Sequence, residues 1–178
     1  MRALYNYHGE YSTKWALLFM AHTFVRSSNI RFAEWKEIDF KNKVWVIPSH
    51  KMKTKVEHKM PLSKQALKVL REIEPYTSNS KYIFPSSLGR NKALSENTLN
   101  TALKRLDFGS EIVSHGFRSM FSTLAYDSGK FRGEVIESLL AHKDPNEIRR
   151  AYNRANYEEE KRELVMWWGD FLEGVKNG

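Results

Sequence analysis

Six side chains at separated points of the chain have the types needed to break and remake a phosphodiester without a metal ion. His115 and Arg118 stand three apart in His115-Gly116-Phe117-Arg118, a spacing that puts both on one face of a helix start. Arg26 closes Thr23-Phe24-Val25-Arg26, His142 follows Leu139-Leu140-Ala141, Tyr152 comes ten residues after His142, and Lys53 lies in a lysine-rich stretch. Attack of a phenol on a phosphodiester makes three demands. Two non-bridging oxygens gain negative charge in the transition state, and a pair of guanidinium forks can hold them bidentately. The phenol has an ordinary pKa of about 10, so a base must help it or cations must lower it. The departing sugar oxygen needs a proton, which a lysine close to phosphate can give. Arg26, Arg118, His115, His142, Lys53 and Tyr152 together meet that list. Singly, each has a plainer reading: Arg26 offsetting a helix dipole, His115 satisfying a backbone group, His142 a core histidine, Tyr152 a core ring with its hydroxyl at the rim.

Other chemistries find no support. The sequence has no HExxH, no paired-aspartate run, no EF-hand loop, no glycine-rich phosphate loop and no Gly-x-Ser-x-Gly, so no metal site, cofactor or serine triad is expected. It has no cysteine, which excludes a disulfide scaffold and a thiolate nucleophile and suits a reducing, cytoplasmic setting. The longest apolar run, Trp15 to Ala21, is too short to span a bilayer, and the first ten residues carry no signal-peptide core.

Charge points to a polyanion. The 178 residues carry 29 Lys plus Arg against 21 Asp plus Glu, a net charge of +8, and nucleic acid is the first partner such a surplus suggests. The surplus is local: residues 41–60 hold Lys41, Lys43, Lys51, Lys53, Lys55 and Lys59 against Glu57 alone. If that segment is extended, Lys51, Lys53 and Lys55 alternate onto one face, and such a row suits a phosphate backbone laid across it. Lysines on an exposed hairpin edge, set there to block strand pairing, are the plainer alternative.

These residues need a scaffold, and the pattern outlines one. Ser12 is placed to cap a first helix carrying Trp15, Leu18, Phe19 and His22 and ending near Arg26, with a short helix around Ile30 to Trp35. Val44-Trp45-Val46-Ile47 reads as a strand stopped by Pro48, Lys55 to Met60 as a weaker one, and Glu37 to Phe40 as a third. Ser63 opens a helix with Ala66, Leu67, Leu70 and Ile73, expected to stop at Pro75. Tyr82 to Pro85 is a brief extended piece. Further helices follow Ser95, cover 115–127 with Gly129 past the end, and run from Gly133 to Leu140. Asp144-Pro145-Asn146-Glu147 is a helix start that leads to Tyr152. A last helix, Tyr157 to Leu172, carries Leu164, Trp167, Trp168, Phe171 and Leu172 as an apolar stripe. The expectation is one α+β domain, mainly helical, with a small antiparallel three-stranded sheet.

The ordered set (Arg26, a hairpin Lys53, His115-x-x-Arg118, Leu140-x-His142, then Tyr152) resembles the catalytic domain of tyrosine recombinases, the phage-type integrases. Ser95-Glu96-Asn97-Thr98-Leu99-Asn100, His115-Gly116-Phe117-Arg118 and Ala151-Tyr152-Asn153-Arg154-Ala155 look most like prophage and genomic-island integrases, and the likeness runs from about Trp15 to Leu172. The resemblance implies the fold of DNA breaking-rejoining enzymes and site-specific recombination for DNA integration or excision. It implies that Arg26, His115, Arg118 and His142 bind and activate the scissile phosphate, with His115 also the base toward the phenol. Lys53 would protonate the leaving 5′ oxygen, and Tyr152 would attack to leave a 3′-phosphotyrosyl link. Lys51, Lys55, Arg149 and Arg154 join these as candidate DNA-binding residues.

Double-stranded DNA is the implied partner, with a homotetramer on DNA for the full-length protein, a monomer for the isolated domain, and no membrane. The family carries core-binding and arm-binding domains ahead of the catalytic one, and residues 1–178 are expected to be that single catalytic domain with those two absent. The family also places a glutamate three residues after the first arginine, often as Arg-Pro-Gly-Glu; here the run is Arg26-Ser27-Ser28-Asn29. A type IB topoisomerase-like relaxing enzyme and a decayed, non-catalytic DNA-binding remnant are the alternatives.

Overall fold

A computed structural model describes residues 1–108, 113–142 and 157–177. Helix α1 (Arg2–Tyr5) leads into α2 (Tyr11–Thr23), which forms the axis of the domain. Every residue of α2 from Ala16 to Thr23 is buried. A helix without a polar face has to be enclosed on all sides, and α2 is: α4 (Lys64–Thr77), α5 (Thr98–Leu103), α6 (Gly116–Asp127) and α8 (Glu158–Asn177) surround it, while α3 (Ser27–Arg31) follows it in the chain. Trp168 of α8 sits at the centre, fully buried, donating from Nε1 to the Ala21 carbonyl at 2.9 Å and meeting the stacked pair Phe24 and Phe121 edge-on. The tryptophan stripe of α8 thus packs on its own domain. Helix α7 (Gly133–Leu139) lies between α6 and α8.

The three-stranded antiparallel sheet has the order β1 (Ile38–Asp39), β2 (Val44–Ile47), β3 (His58–Pro61). Its register pairs Trp45 with Met60 and Ile47 with His58. The period of two turns Trp45, Ile47 and Met60 into the core and Lys59 to solvent. It puts His58 on the same side as Met60.

Several elements depart from the sequence reading. Ser12 lies inside α2, whose N-cap residue is Glu10, and the short helix expected around Ile30 to Trp35 runs over Ser27–Arg31. Helix α4 runs through Pro75 to Thr77, because the proline lies on its exposed face and the last turn is held by other bonds. Ser78 N–H donates to the Glu74 carbonyl at 2.9 Å, the Thr77 hydroxyl donates to the Ile83 carbonyl at 2.9 Å, and Trp35 Nε1 donates to the Thr77 carbonyl at 2.9 Å. A second hairpin, β4 (Pro85–Ser86) with β5 (Gly89–Ala93), was not expected; its strand Gly-Arg-Asn-Lys-Ala has no apolar alternation. After α5 the chain widens into a π-helical turn, Lys104–Phe108. Finally, Lys51, Lys53 and Lys55 share no extended face: Ser49–Lys51 is a 3₁₀ turn and Lys55 takes a left-handed φ of 57°. No described helix is long and apolar enough to cross a membrane.

Candidate active site

Arg118 enters from the first turn of α6 and is almost wholly buried. Its guanidinium donates to two carbonyls, Phe24 at 3.4 Å and Leu140 at a closer contact. Both acceptors sit where the chain reverses. Phe24 ends α2 with φ 43°, and Ala141 follows α7 with φ 48°, left-handed conformations that non-glycine residues seldom adopt. The reversal at Phe24 also delivers Arg26, two residues on, as the N-cap residue of α3. Arg26 and Arg118 line one small depression together with Asn29, Met52 and His58. Burial first, and the nearby Arg26 second, push the Arg118 guanidinium down to about 10, against a smaller opposing pull from Glu137. Arg118 is therefore charged at neutral pH even where it is buried.

His58 is the residue the sequence reading missed. Its Nε2 is buried without a hydrogen-bond partner. Burial, then Lys161, Arg118 and Arg26, hold its pKa at about 4, opposed by a backbone hydrogen bond with Leu139, so the imidazole is neutral. Strand alternation with Met60 was the signal that pointed it inward. None of the described residues lining the depression is a carboxylate. Two guanidinium groups lining a dent with no acid among the described residues make a place suited to an anion.

The remaining candidates surround this point unevenly. Lys53 is exposed in the turn that follows Met52, a residue of the depression's lining. His115 is exposed at the N-cap of α6, one turn before Arg118. His142 is exposed after Ala141, and its Nδ1 meets Glu137 Oε2 at 2.5 Å, while Glu137 Oε1 accepts from the Tyr126 hydroxyl at 3.0 Å. A carboxylate on Nδ1 leaves the Nε2 side of the ring for another partner. Lys55 is exposed. Lys51 needs correction: its ammonium is turned inward onto Glu34, Glu37 and the Phe32 carbonyl, with its side chain only 13% exposed, so it does not present a charge to a phosphate backbone. Tyr152, Arg149 and Arg154 lie outside the described residues. No group of acidic or histidine side chains among the described residues is arranged to hold a metal ion.

A model of the phage integrase family matches residues 1–159. The chain belongs to that family. Among curated relatives, this family member is 40% identical over 167 residues to the prophage integrase IntA of Escherichia coli (strain K12), covering 94% of the chain and 40% of IntA. It is 35% identical over 186 residues to the integrase of Enterobacteria phage P4, covering 96% and 42%. It spans about two fifths of the length of these relatives.

Solved structures share its fold. The integrase from mycobacterium phage Brujita matches with a TM-score of 0.68 at 15% identity, over 92% of this chain and 54% of that one. The Tn1549 transposon integrase in complex with circular intermediate DNA matches with a TM-score of 0.62 at 13% identity, over 85% and 57%. The mainly helical architecture with its small antiparallel sheet is that of the integrases.

Proposed function

We propose that this domain cuts and rejoins double-stranded DNA, with Tyr152 as nucleophile, in site-specific recombination. The observation that carries the reading is the convergence of Arg26 and Arg118 on one depression that no acid among the described residues lines, with Met52, the residue before Lys53, in the same lining. A scissile phosphate seated there would have its two non-bridging oxygens gripped by guanidinium donors. The Tyr152 phenolic oxygen attacks phosphorus as the bond to the 5′ oxygen breaks. His115 takes the phenolic proton, and Lys53 gives one to the departing 5′ oxygen. His142, oriented by Glu137 through Nδ1, faces the same phosphate. The 3′-phosphotyrosyl ester keeps the bond energy, so a 5′ hydroxyl from another strand can reverse the steps without a nucleotide cofactor.

The test starts from a pool of nicked duplexes with a randomised core, from which the parent protein selects a sequence it captures covalently. On that duplex Tyr152→Phe should lose the adduct and keep DNA binding. An adduct that persists moves the nucleophile elsewhere. A parent protein that captures no member of the pool, yet binds DNA, removes the catalytic reading and leaves a DNA-binding domain. Relaxation of supercoiled plasmid with no preferred sequence would favour topoisomerase-like chemistry over recombination.

A further inference from the structure

Lys51 is set apart from the other lysines of its segment. An ammonium has three donors, and here all three find acceptors: the Phe32 carbonyl at 2.6 Å, Glu34 Oε1 at 2.7 Å, and Glu37 Oε1. Glu37 Oε2 accepts in addition from the Glu34 N–H at 3.2 Å and from Trp45 Nε1 at 3.1 Å. Burial pushes the Glu34 carboxyl up, but hydrogen bonds from Lys51 and Lys36 outweigh it and hold its pKa at about 2. A buried ion cluster of this kind adds little net stability over well-packed apolar groups. Its worth is in what it fixes.

It fixes the base of the Lys53 turn. Asn29, buried in α3, donates from Nδ2 to the Lys51 carbonyl at 3.0 Å and touches Met52 Sδ at 3.7 Å. Met52 is buried in the core, and its carbonyl accepts from Lys55 N–H at 3.0 Å. That bond closes a turn whose two central residues are Lys53 and Thr54. The residue pair before Lys53 is therefore held by an ammonium, a carbonyl and a thioether, while Lys53 itself is exposed.

We propose that Asn29 and the Lys51–Glu34–Glu37 cluster are positioning residues for Lys53. They clamp the start of its turn so that the ammonium is presented at the edge of the arginine depression. This rests on the reading of Lys53 as the acid toward the 5′ oxygen. An amide suits position 29 because its N–H donates to the Lys51 carbonyl. A carboxylate there has no proton to give and would face that oxygen with like charge.

The experiment compares two versions of the captured duplex: the ordinary phosphodiester, and one with sulfur replacing the 5′ bridging oxygen at the cleaved bond. A thiol has a pKa of about 8.5, so a thiolate departs without a proton from the protein. Rates of covalent adduct formation are measured for Asn29→Asp, Asn29→Ala, Lys51→Met and Lys53→Ala, each with its melting temperature. On the ordinary duplex both Asn29 variants should be slower by at least about tenfold. On the sulfur duplex they should return to within about twofold of the parent. Lys51→Met, where it folds, should follow them.

Equal slowing on both duplexes means that Asn29 acts through the phosphate grip or the fold, and overturns the inference. No slowing on the ordinary duplex overturns it as well. The Lys53→Ala arm reports separately on the underlying reading: if sulfur does not restore that variant, Lys53 is not the acid and the assignment of the leaving-group proton falls with it.

Discussion

Lowering the pH from 7.5 to 5 should destabilise this domain through two histidines that the fold keeps neutral. His22, on the enclosed helix α2, has both ring nitrogens buried without partners. Burial, then Lys176, holds its pKa at about 4 against an opposing pull from Glu173. His58 is held at about 4 by burial and by Lys161, Arg118 and Arg26. In the unfolded chain both titrate near the ordinary value of about 6.5. Between these two values the unfolded chain takes up protons that the folded chain refuses, so stability rises with pH across the window. It is complete above about pH 6.5, falls as the pH drops toward 4, and levels off below. At pH 5 each histidine costs about 2 kcal/mol, so about 4 kcal/mol for the pair. That is a large part of the roughly 5–15 kcal/mol of a typical domain. Glu34, held at about 2, stays ionised throughout in the folded chain and begins to protonate in the unfolded chain only near pH 5, so it adds little to the slope. Urea unfolding at pH 7.5, 6 and 5 measures the effect. His22→Leu should halve the pH dependence, and at pH 7.5 it should be no less stable than the parent, since two unpartnered buried nitrogens are removed. A parent profile flat between pH 7.5 and 5, or an unchanged slope in His22→Leu, would refute the reasoning.

Other consequences follow from packing and charge. Gly169→Ala gains about 1 kcal/mol of helix propensity, but the added Cβ would stand 2.3 Å from Gln65 Oε1 and 3.0 Å from Ser63 Cβ. Gln65 is pinned through Nε2 by Asp170 at 2.8 Å and Glu173 at 3.0 Å. Overpacking of about 1–3 kcal/mol should therefore exceed the gain, seen as a lower melting temperature. Ser63→Ala removes the cap of α4, where Ser63 Oγ accepts from Ala66 N–H at 3.1 Å; a loss of about 1 kcal/mol in urea unfolding is expected. Binding of the chain to duplex DNA should weaken steeply between 50 and 200 mM salt, as counterion release demands. A salt-insensitive affinity in a filter or fluorescence assay would remove the electrostatic account.

Strong local signals were legible in the sequence, and long-range closure was not. Val44–Ile47 and its stop at Pro48, the Ser63 cap of α4, and α6 ending before Gly129 all depend on neighbours a few residues apart, and all appear in the structure. Pro75 misled because a proline on an exposed face disturbs a helix less than its type suggests when the last turn is tied down from residues 35 and 83. The Lys51–Lys53–Lys55 row misled for a related reason. Alternation implies a common face only in an extended chain, and the pull of Glu34 and Glu37 on Lys51 coils that segment into a turn. Those acids lie 17 and 14 residues away in the chain, beyond any local pattern. Arg26 and Arg118 were readable as a pair from their chemistry. His58 was readable only from its alternation with Met60 along β3.

The arginine pocket and the lysine cluster show two ways of spending buried charge. Around Lys51, each cation meets an acid and each polar atom has a partner, so the cluster has no demand left for a ligand. Around Arg118 the balance is left open. Its guanidinium is held by the Phe24 and Leu140 carbonyls, which orient it without neutralising it, and Arg26 faces it with like charge. Glu137, the acid that acts on it, also binds His142 and Tyr126. Like charges held together in this way oppose folding and favour any anion that separates them. A phosphate seated between Arg26 and Arg118 would relieve that repulsion, so binding an anion and stabilising the domain should be one event. Phosphate or vanadate added to the protein should raise its melting temperature. Arg26→Ala should remove most of that increase while raising the melting temperature of the anion-free protein, because Arg118 then loses its opposing charge. An anion-free Arg26→Ala protein that melts lower than the parent would mean that the two guanidinium groups do not strain the empty pocket.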